Sequence, residues 1–224
     1  MRDNELITKK NAPAGKSSST SILLSSLYAA PIQYYSKLFR AKSAVIEVHD
    51  NYQKQSYRNR CIIGGANGVL KLNIPIEKPS TAKCEMKDIQ IAEHGNWQHL
   101  HWNAIISAYN TTPFFEFYLD DFFPLYQKKQ TSLHEFNEEL RQLICRLLKI
   151  ETPVTYSENY ITTLPKDTID YREVIHPKKD WHALDPHFRA IPYFQVFEEK
   201  HGFQPNLSIL DLLFNMGSEA RLYL

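Results

Sequence analysis

The opening stretch of the chain constrains its fold more than any other. Ile22-Leu23-Leu24 is a short apolar run of the length expected for a buried strand. Pro31 suits the first position of a helix, where a missing N–H costs nothing, and Ile32, Tyr35, Leu38 and Phe39 recur behind it at helical spacing. Ala44-Val45-Ile46-Glu47-Val48 is β-branched and reads as a second strand. A strand, helix and strand within about thirty residues make a βαβ unit, whose two strands lie parallel.

The middle of the chain changes character. Cys61-Ile62-Ile63 and Val69-Leu70-Lys71-Leu72-Asn73-Ile74 flank Gly65-Ala66-Asn67-Gly68. The Asn-Gly pair supplies the positive φ angles of a tight turn, which predicts an antiparallel hairpin. Lys78-Pro79-Ser80-Thr81 reads as a loop, and Asp88-Ile89-Gln90-Ile91-Ala92 as a further strand. Helices follow. Trp97, Leu100, His101, Ala104, Ile105 and Ala108 trace one face of a helix ending near Tyr109, and 120–129 reads as a short helix interrupted by Pro124. Ser132 and Glu135 form a capping box ahead of the stripe Leu133, Phe136, Leu140, Leu143, Ile144 and Leu147. Pro153-Val154-Thr155-Tyr156 is a candidate strand, 171–189 an irregular surface excursion, and 193–200 a helix. Asn206 is placed to cap a last helix over 207–215 that Gly217 ends. The expected class is α/β: a Rossmann-like βαβ opening, an antiparallel hairpin and a helical C-terminal half.

Hydrophobic residues at 43% and charged residues at 23% are globular proportions. Residues 1–20 are the exception, ending in Lys16-Ser17-Ser18-Ser19-Thr20, and read as a disordered polar tail before a single domain over 21–224. Lys and Arg number 26 against 25 acids, so bulk charge gives no argument for a nucleic acid partner. No apolar run has the length of a membrane span, and the start lacks a signal-peptide core, so a cytoplasmic protein without membrane insertion is expected. Cys61, Cys84 and Cys145 form no CxxC pair. GxGxxG, P-loop and GxSxG motifs are absent, so no bound cofactor is expected.

The polar segment 49–60 lies just past the carboxyl end of the second strand, where open α/β sheets bind ligands. Lys54, Arg58 and Arg60 put three cations there, suited to phosphate or carboxylate, although a solvated connection has the same composition. Tyr34 and Tyr35 sit at a helix start, where amide groups favour an anion. His99 and His101 are two positions apart on a helix and cannot share one metal ion, so no metal site is expected. His101 alone has two readings, a satisfied core histidine or a general base opening into a cleft. The aromatic run Phe114-Phe115-Glu116-Phe117-Tyr118 suits either a core or a stacking surface.

Several stretches together resemble the WbqC-like protein family, of the Bacteroidetes type. They are Lys54-Gln55-Ser56-Tyr57-Arg58-Asn59-Arg60-Cys61, Ala66-Asn67-Gly68, Leu72-Asn73-Ile74-Pro75-Ile76, Trp97-Gln98-His99-Leu100-His101-Trp102 running to Tyr109, Pro113-Phe114-Phe115-Glu116, Phe136-Asn137 and Phe203-Gln204-Pro205-Asn206-Leu207-Ser208 running on to Asn215. Many members carry a Gln-Pro pair after the first strand, whereas this chain has Ser25-Ser26-Leu27-Tyr28 there. The resemblance maps Lys54, Asn59, Arg60, His101, Tyr109, Asn206 and Asp211 onto recurrent family positions. It implies a role in O-antigen or surface-polysaccharide synthesis, with transfer of a glycyl- or acyl-type group to a sugar or nucleotide sugar. The expected ligand is an anionic small molecule such as a nucleotide sugar or an amino or acyl donor. Arg60 and Lys54 would hold its anion, Asn59 orient it, His101 act as base, and Tyr34 or Tyr35 line the pocket, with Tyr109, Asn206 and Asp211 also binding substrate. Two other classes are open: a non-catalytic partner subunit docking through the Phe114–Phe123 stretch, and a hydrolase built on Asp120, Asp121 and a histidine, with or without a metal.

Overall fold

The computed structural model of the protein describes residues 19–78 and 83–224. The expected tail therefore lies outside the described residues up to position 18, as do Pro79, Ser80 and Thr81 of the expected loop. β1 (Ser21–Ser25), α1 (Ile32–Arg40) and β2 (Ser43–Glu47) form the parallel βαβ unit, with Ser21 opposite Ser43 and Ser25 opposite Glu47. Two three-residue strands complete the sheet. β5 (Val154–Tyr156) adds beside β2 and β6 (Thr168–Asp170) beside β1, giving a parallel order β5-β2-β1-β6. A wholly parallel sheet sends every carboxyl end to the same edge, and that edge becomes the place to look for a site.

β3 (Arg60–Gly65) and β4 (Gly68–Asn73) pair antiparallel as a separate hairpin closed by Gly65 opposite Gly68. Gly68 has φ 102, while Asn67 does not take a positive φ, so the tip turns on the glycine alone and not on the paired positive angles expected of Asn-Gly. The strand expected at 88–92 does not form. Ile91 and Gln90 make isolated bridges to Ile76 and Ser132, and Met86–Asp88 closes into a 3-10 turn instead. Alternating Ile89 and Ile91 are buried all the same, so the pattern reports burial of one side and not a ladder.

The helical half comprises α2 (Trp97–Tyr109), α3 (Phe115–Gln127), α4 (Leu133–Leu147), the short turns α5 (Trp181–Leu184) and α6 (Glu198–His201), and α7 (Ile209–Met216). α3 begins five residues earlier than 120 and carries Pro124 inside its last turn. Ser132 caps α4 by accepting from the Glu135 amide at 3.3 Å. The helix expected at 193–200 shrinks to α6, and the cap of α7 is Ser208, not Asn206. Phe214 of α7 stands among the rings of Tyr109, Phe115, Tyr118 and Phe122 at 5.1–6.5 Å, which ties α2 and α3 to the C-terminus. Truncating so buried a ring costs about 3–5 kcal/mol.

Candidate functional site

At the carboxyl edge the strands end in polar side chains that reach one another. Glu47 closes β2 and is fully buried. Its carboxylate accepts from the Ser157 hydroxyl at 2.6 Å, the Ile161 amide at 2.9 Å, the His49 amide at 3.0 Å and the Arg172 guanidinium at 3.3 Å. Arg172 also grips Asp170, the last residue of β6, with Nη2 at 2.7 Å from Oδ2. One carboxylate thus fastens the chain after β2, β5 and β6.

A second pair lies behind β1. The Arg58 guanidinium is 1% exposed and donates through Nη2 to Asp50 and, at 3.4 Å, to Ser25 Oγ, while its Nε has no partner among the described residues. α4 presses Asn137 against it, donating to the Arg58 carbonyl at 2.9 Å, and Asn137 Oδ1 is likewise left without a partner. Along the same helix, His134 Nδ1 meets Ser26 Oγ at 3.1 Å, and Arg141 donates to Glu138 at 2.7 Å. Tyr156, at the end of β5, donates to the same Glu138 at 3.1 Å. Burial lowers the His134 pKa against the pull of Glu138, so its imidazole is neutral near pH 7 and able to accept a proton. Burying three arginine–carboxylate pairs costs desolvation that their attraction barely returns.

Two loops stand over this edge. Gln53 donates to Glu173 at 2.6 Å, Lys179 reaches the same carboxylate at 2.8 Å, and Lys178 bonds Gln55. Between them His176 is partly buried, and desolvation followed by the charge of Lys179 lowers its pKa, with Arg58 and Lys178 adding to the effect. The loops therefore gather positive potential around the unfilled donor of Arg58.

The residues singled out from sequence are distributed differently. Lys54 is exposed on the 51–59 loop. Asn59 donates to the Ile74 carbonyl at 2.8 Å and Arg60 to Asn73 at 2.6 Å, so both side chains brace the hairpin. His101 is 6% exposed, with Nδ1 3.0 Å from the Tyr28 hydroxyl, and burial drives its pKa down to about 4 against a bond to the Asn73 backbone. It is a satisfied core histidine without the opening a general base needs. Tyr34 and Tyr35 are each 1% exposed, and their hydroxyls, pushed far up by burial, line no mouth. Asn206 accepts from the Gln33 amide at 2.9 Å, so it serves the start of α1. Tyr109 and Asp211 do meet, at 2.8 Å, away from Arg60 and deep behind the hairpin.

Sequence reasoning counted Arg58 as loop charge, met Asn137 only within the family's Phe136-Asn137 stretch, and passed over Glu47, His134, Glu138, Arg141 and Arg172 as site residues. The α4 residues carry a legible signal, since 134, 137, 138 and 141 repeat at helical spacing as a polar stripe beside the apolar one. Among the described residues, no group of three or more His, Cys, Asp and Glu side chains is placed to hold a metal ion. Burial pushes the Cys61 thiol up to about 12 and that of Cys145 to about 11, which leaves both unreactive.

The model of the WbqC-like protein family matches residues 26–175. The chain belongs to that family. The matched span opens at Ser26 and closes at Ile175, so the WbqC-like region contains the arginine–carboxylate edge and stops short of Asp211. The chain is also 27% identical over 193 residues to Uncharacterized protein Rv1507c of Mycobacterium tuberculosis, covering 77% of this chain and 83% of that one. No solved structure matches it. No helix among the described residues is long and apolar enough to cross a membrane.

Proposed function

We propose that this WbqC-like protein is a cytoplasmic transferase that moves a glycyl- or acyl-type group onto a sugar or nucleotide sugar for surface polysaccharide. The observation that carries the reading is Arg58, a buried guanidinium at the strand ends with one donor unfilled. That guanidinium is closed off and held by Asp50, so a phosphate or carboxylate reaches it when the 51–59 and 171–180 loops part, with Lys178 and Lys179 at the rim. His134, neutral and half-buried beside Ser26, takes the base role that the core position of His101 denies it. Asn137 offers its bare Oδ1 to a hydroxyl or amine of the incoming group.

The test is isothermal titration of UDP-N-acetylglucosamine, glycine and acetyl-coenzyme A against the wild type, Arg58→Lys and His134→Gln. Lysine keeps the charge but not the fork, so Arg58→Lys weakens binding of the anionic ligand by about tenfold or more. His134→Gln leaves binding near wild type and removes turnover. Equal affinity in the wild type and Arg58→Lys moves the site elsewhere, and no binding of any ligand removes the transferase reading. One observation favours a partner-subunit role instead: Leu100, Phe117 and Phe123 on α2 and α3 are exposed, Phe117 to 76%.

A further inference from the structure

The β3–β4 hairpin has two edges, and folding has treated them differently. One step beyond the paired strands, the Ile74 amide donates to the Asn59 carbonyl at 2.8 Å. Hydrogen-bonded residues alternate with non-bonded ones along an antiparallel pair. The bonded pairs are therefore Cys61 with Leu72, Ile63 with Leu70 and Gly65 with Gly68. Ile62 and Gly64 of β3, and Val69, Lys71 and Asn73 of β4, turn their backbone N–H and C=O groups outward, away from the partner strand.

On the β3 side such groups are taken. The Gly64 amide donates to the Tyr109 hydroxyl at 3.3 Å, and the Ile62 carbonyl accepts from the Ser208 amide at 2.7 Å. On the β4 side the end next to Ile74 is taken, where the Asn73 backbone bonds His101. The rest is bare. Among the described residues Val69 has no partner for either backbone group and Lys71 none for its amide, while the Lys71 carbonyl meets the Asn73 side chain of its own strand at 3.4 Å. The side chains follow the same division: Cys61 and Ile63 of β3 are fully buried, whereas Val69 is 50% and Leu70 42% exposed. Lys200 and His201 hold the tip by bonding the Ala66 carbonyl at 2.7 and 3.1 Å, so the bare edge is fastened in place. An open edge with apolar side chains is a template for a further strand, and a two-stranded sheet gains most from one.

We infer that two copies of this chain pair through β4, edge to edge and antiparallel, into one four-stranded sheet around a two-fold axis at Leu70. In that register Val69 and Lys71 of one copy exchange backbone hydrogen bonds with Lys71 and Val69 of the other, which fills every bare group on both edges. Leu70 then meets its own copy on the axis, where Cα atoms approach to about 4.5 Å. A lysine on an edge normally discourages pairing. Here it lies opposite Val69, and its stem runs along that side chain with the ammonium in water. The next register, centred on Lys71, sets two ammonium groups opposite each other and needs Asn73, whose backbone His101 already holds. The strand is thus complementary to itself at one position. None of these residues belongs to the strand ends around Arg58, so pairing and group transfer fail separately.

Sedimentation equilibrium of the full chain from about 1 μM to about 1 mM reads the pairing. The average mass is expected to rise toward twice that of one chain. Leu70→Lys, which sets like charges on the axis at a half-exposed position, holds it at one chain throughout. Cysteine cross-linking reads the register and carries the test if the lysine variant does not fold. Under mild oxidation Leu70→Cys gives a disulfide-linked dimer beyond the wild-type level and Lys71→Cys does not, since position 70 alone meets its own copy within disulfide reach. A wild type that stays at the mass of one chain overturns the inference; protection of its Val69 and Lys71 amides from hydrogen exchange would then assign the edge to another part of the same chain. A dimer that survives Leu70→Lys, or cross-links equally through positions 70 and 71, overturns it as well.

Discussion

Replacing Glu47 by Gln changes one atom and tests whether a single carboxylate holds the sheet edge together. In the wild type, Oε1 serves the Ser157 hydroxyl and the His49 amide, and Oε2 serves the Ile161 amide and Arg172. Glutamine keeps one acceptor oxygen and turns an NH2 toward the other two donors. The Ile161 N–H then loses its acceptor, at about 1–3 kcal/mol for a buried donor. Arg172 keeps its bonds to Asp170 but loses a charged partner. Breaking a buried ion pair from one side costs about 3–5 kcal/mol, and the retained Asp170 contact puts the expected total near the lower end, about 3 kcal/mol. Urea denaturation reads this as a lower midpoint at unchanged slope. Arg172→Met in the Glu47→Gln background then costs less than it does alone, because the two changes remove one shared contact. A loss under about 1 kcal/mol for Glu47→Gln, or strict additivity of the pair, would refute the claim that this carboxylate organises three loops.

Other outcomes follow from single positions. His101 titrates at about 4 in the folded chain and near 6.5 unfolded, so the unfolded state binds the extra proton between those values. Its contribution is complete above pH about 6.5 and falls by about 3 kcal/mol as pH drops toward 4, a slope that stability curves of His101→Phe lack. Gly217 has φ 57, and a Cβ there would sit 2.5 Å from the Phe114 ring, so Gly217→Ala lowers stability by about 2 kcal/mol or more in thermal unfolding. Ser132→Ala removes the α4 cap and costs about 1 kcal/mol by the same measurement.

The parts legible from sequence share a cause. The βαβ opening, the Asn-Gly hairpin and the capped α4 are written within one or two turns of chain, where period and turn chemistry act locally. The position of the 49–60 segment was legible in the same way, because the carboxyl end of β2 is fixed once the parallel unit is recognised. The side chains within it were not. His101 has the spacing of a core position and of a catalytic one alike, and only Tyr28, distant in sequence, decides between them. Asn206 has the composition of a helix cap, yet it serves α1 while Ser208 caps α7.

By itself the sequence determined the βαβ opening with its parallel strands, the antiparallel hairpin and the capped α4, but not β6, the short α5 and α6 turns or the missing strand at 88–92. Tertiary structure alone decided the partners: Glu47 with Arg172, Arg58 with Asn137, and Asp211 with Tyr109. Backbone propensity and hydrophobic period act between near neighbours in the chain. Charge and hydrogen bonding between buried groups act through space, and no pattern along the chain records which distant residue folding will bring within 3 Å.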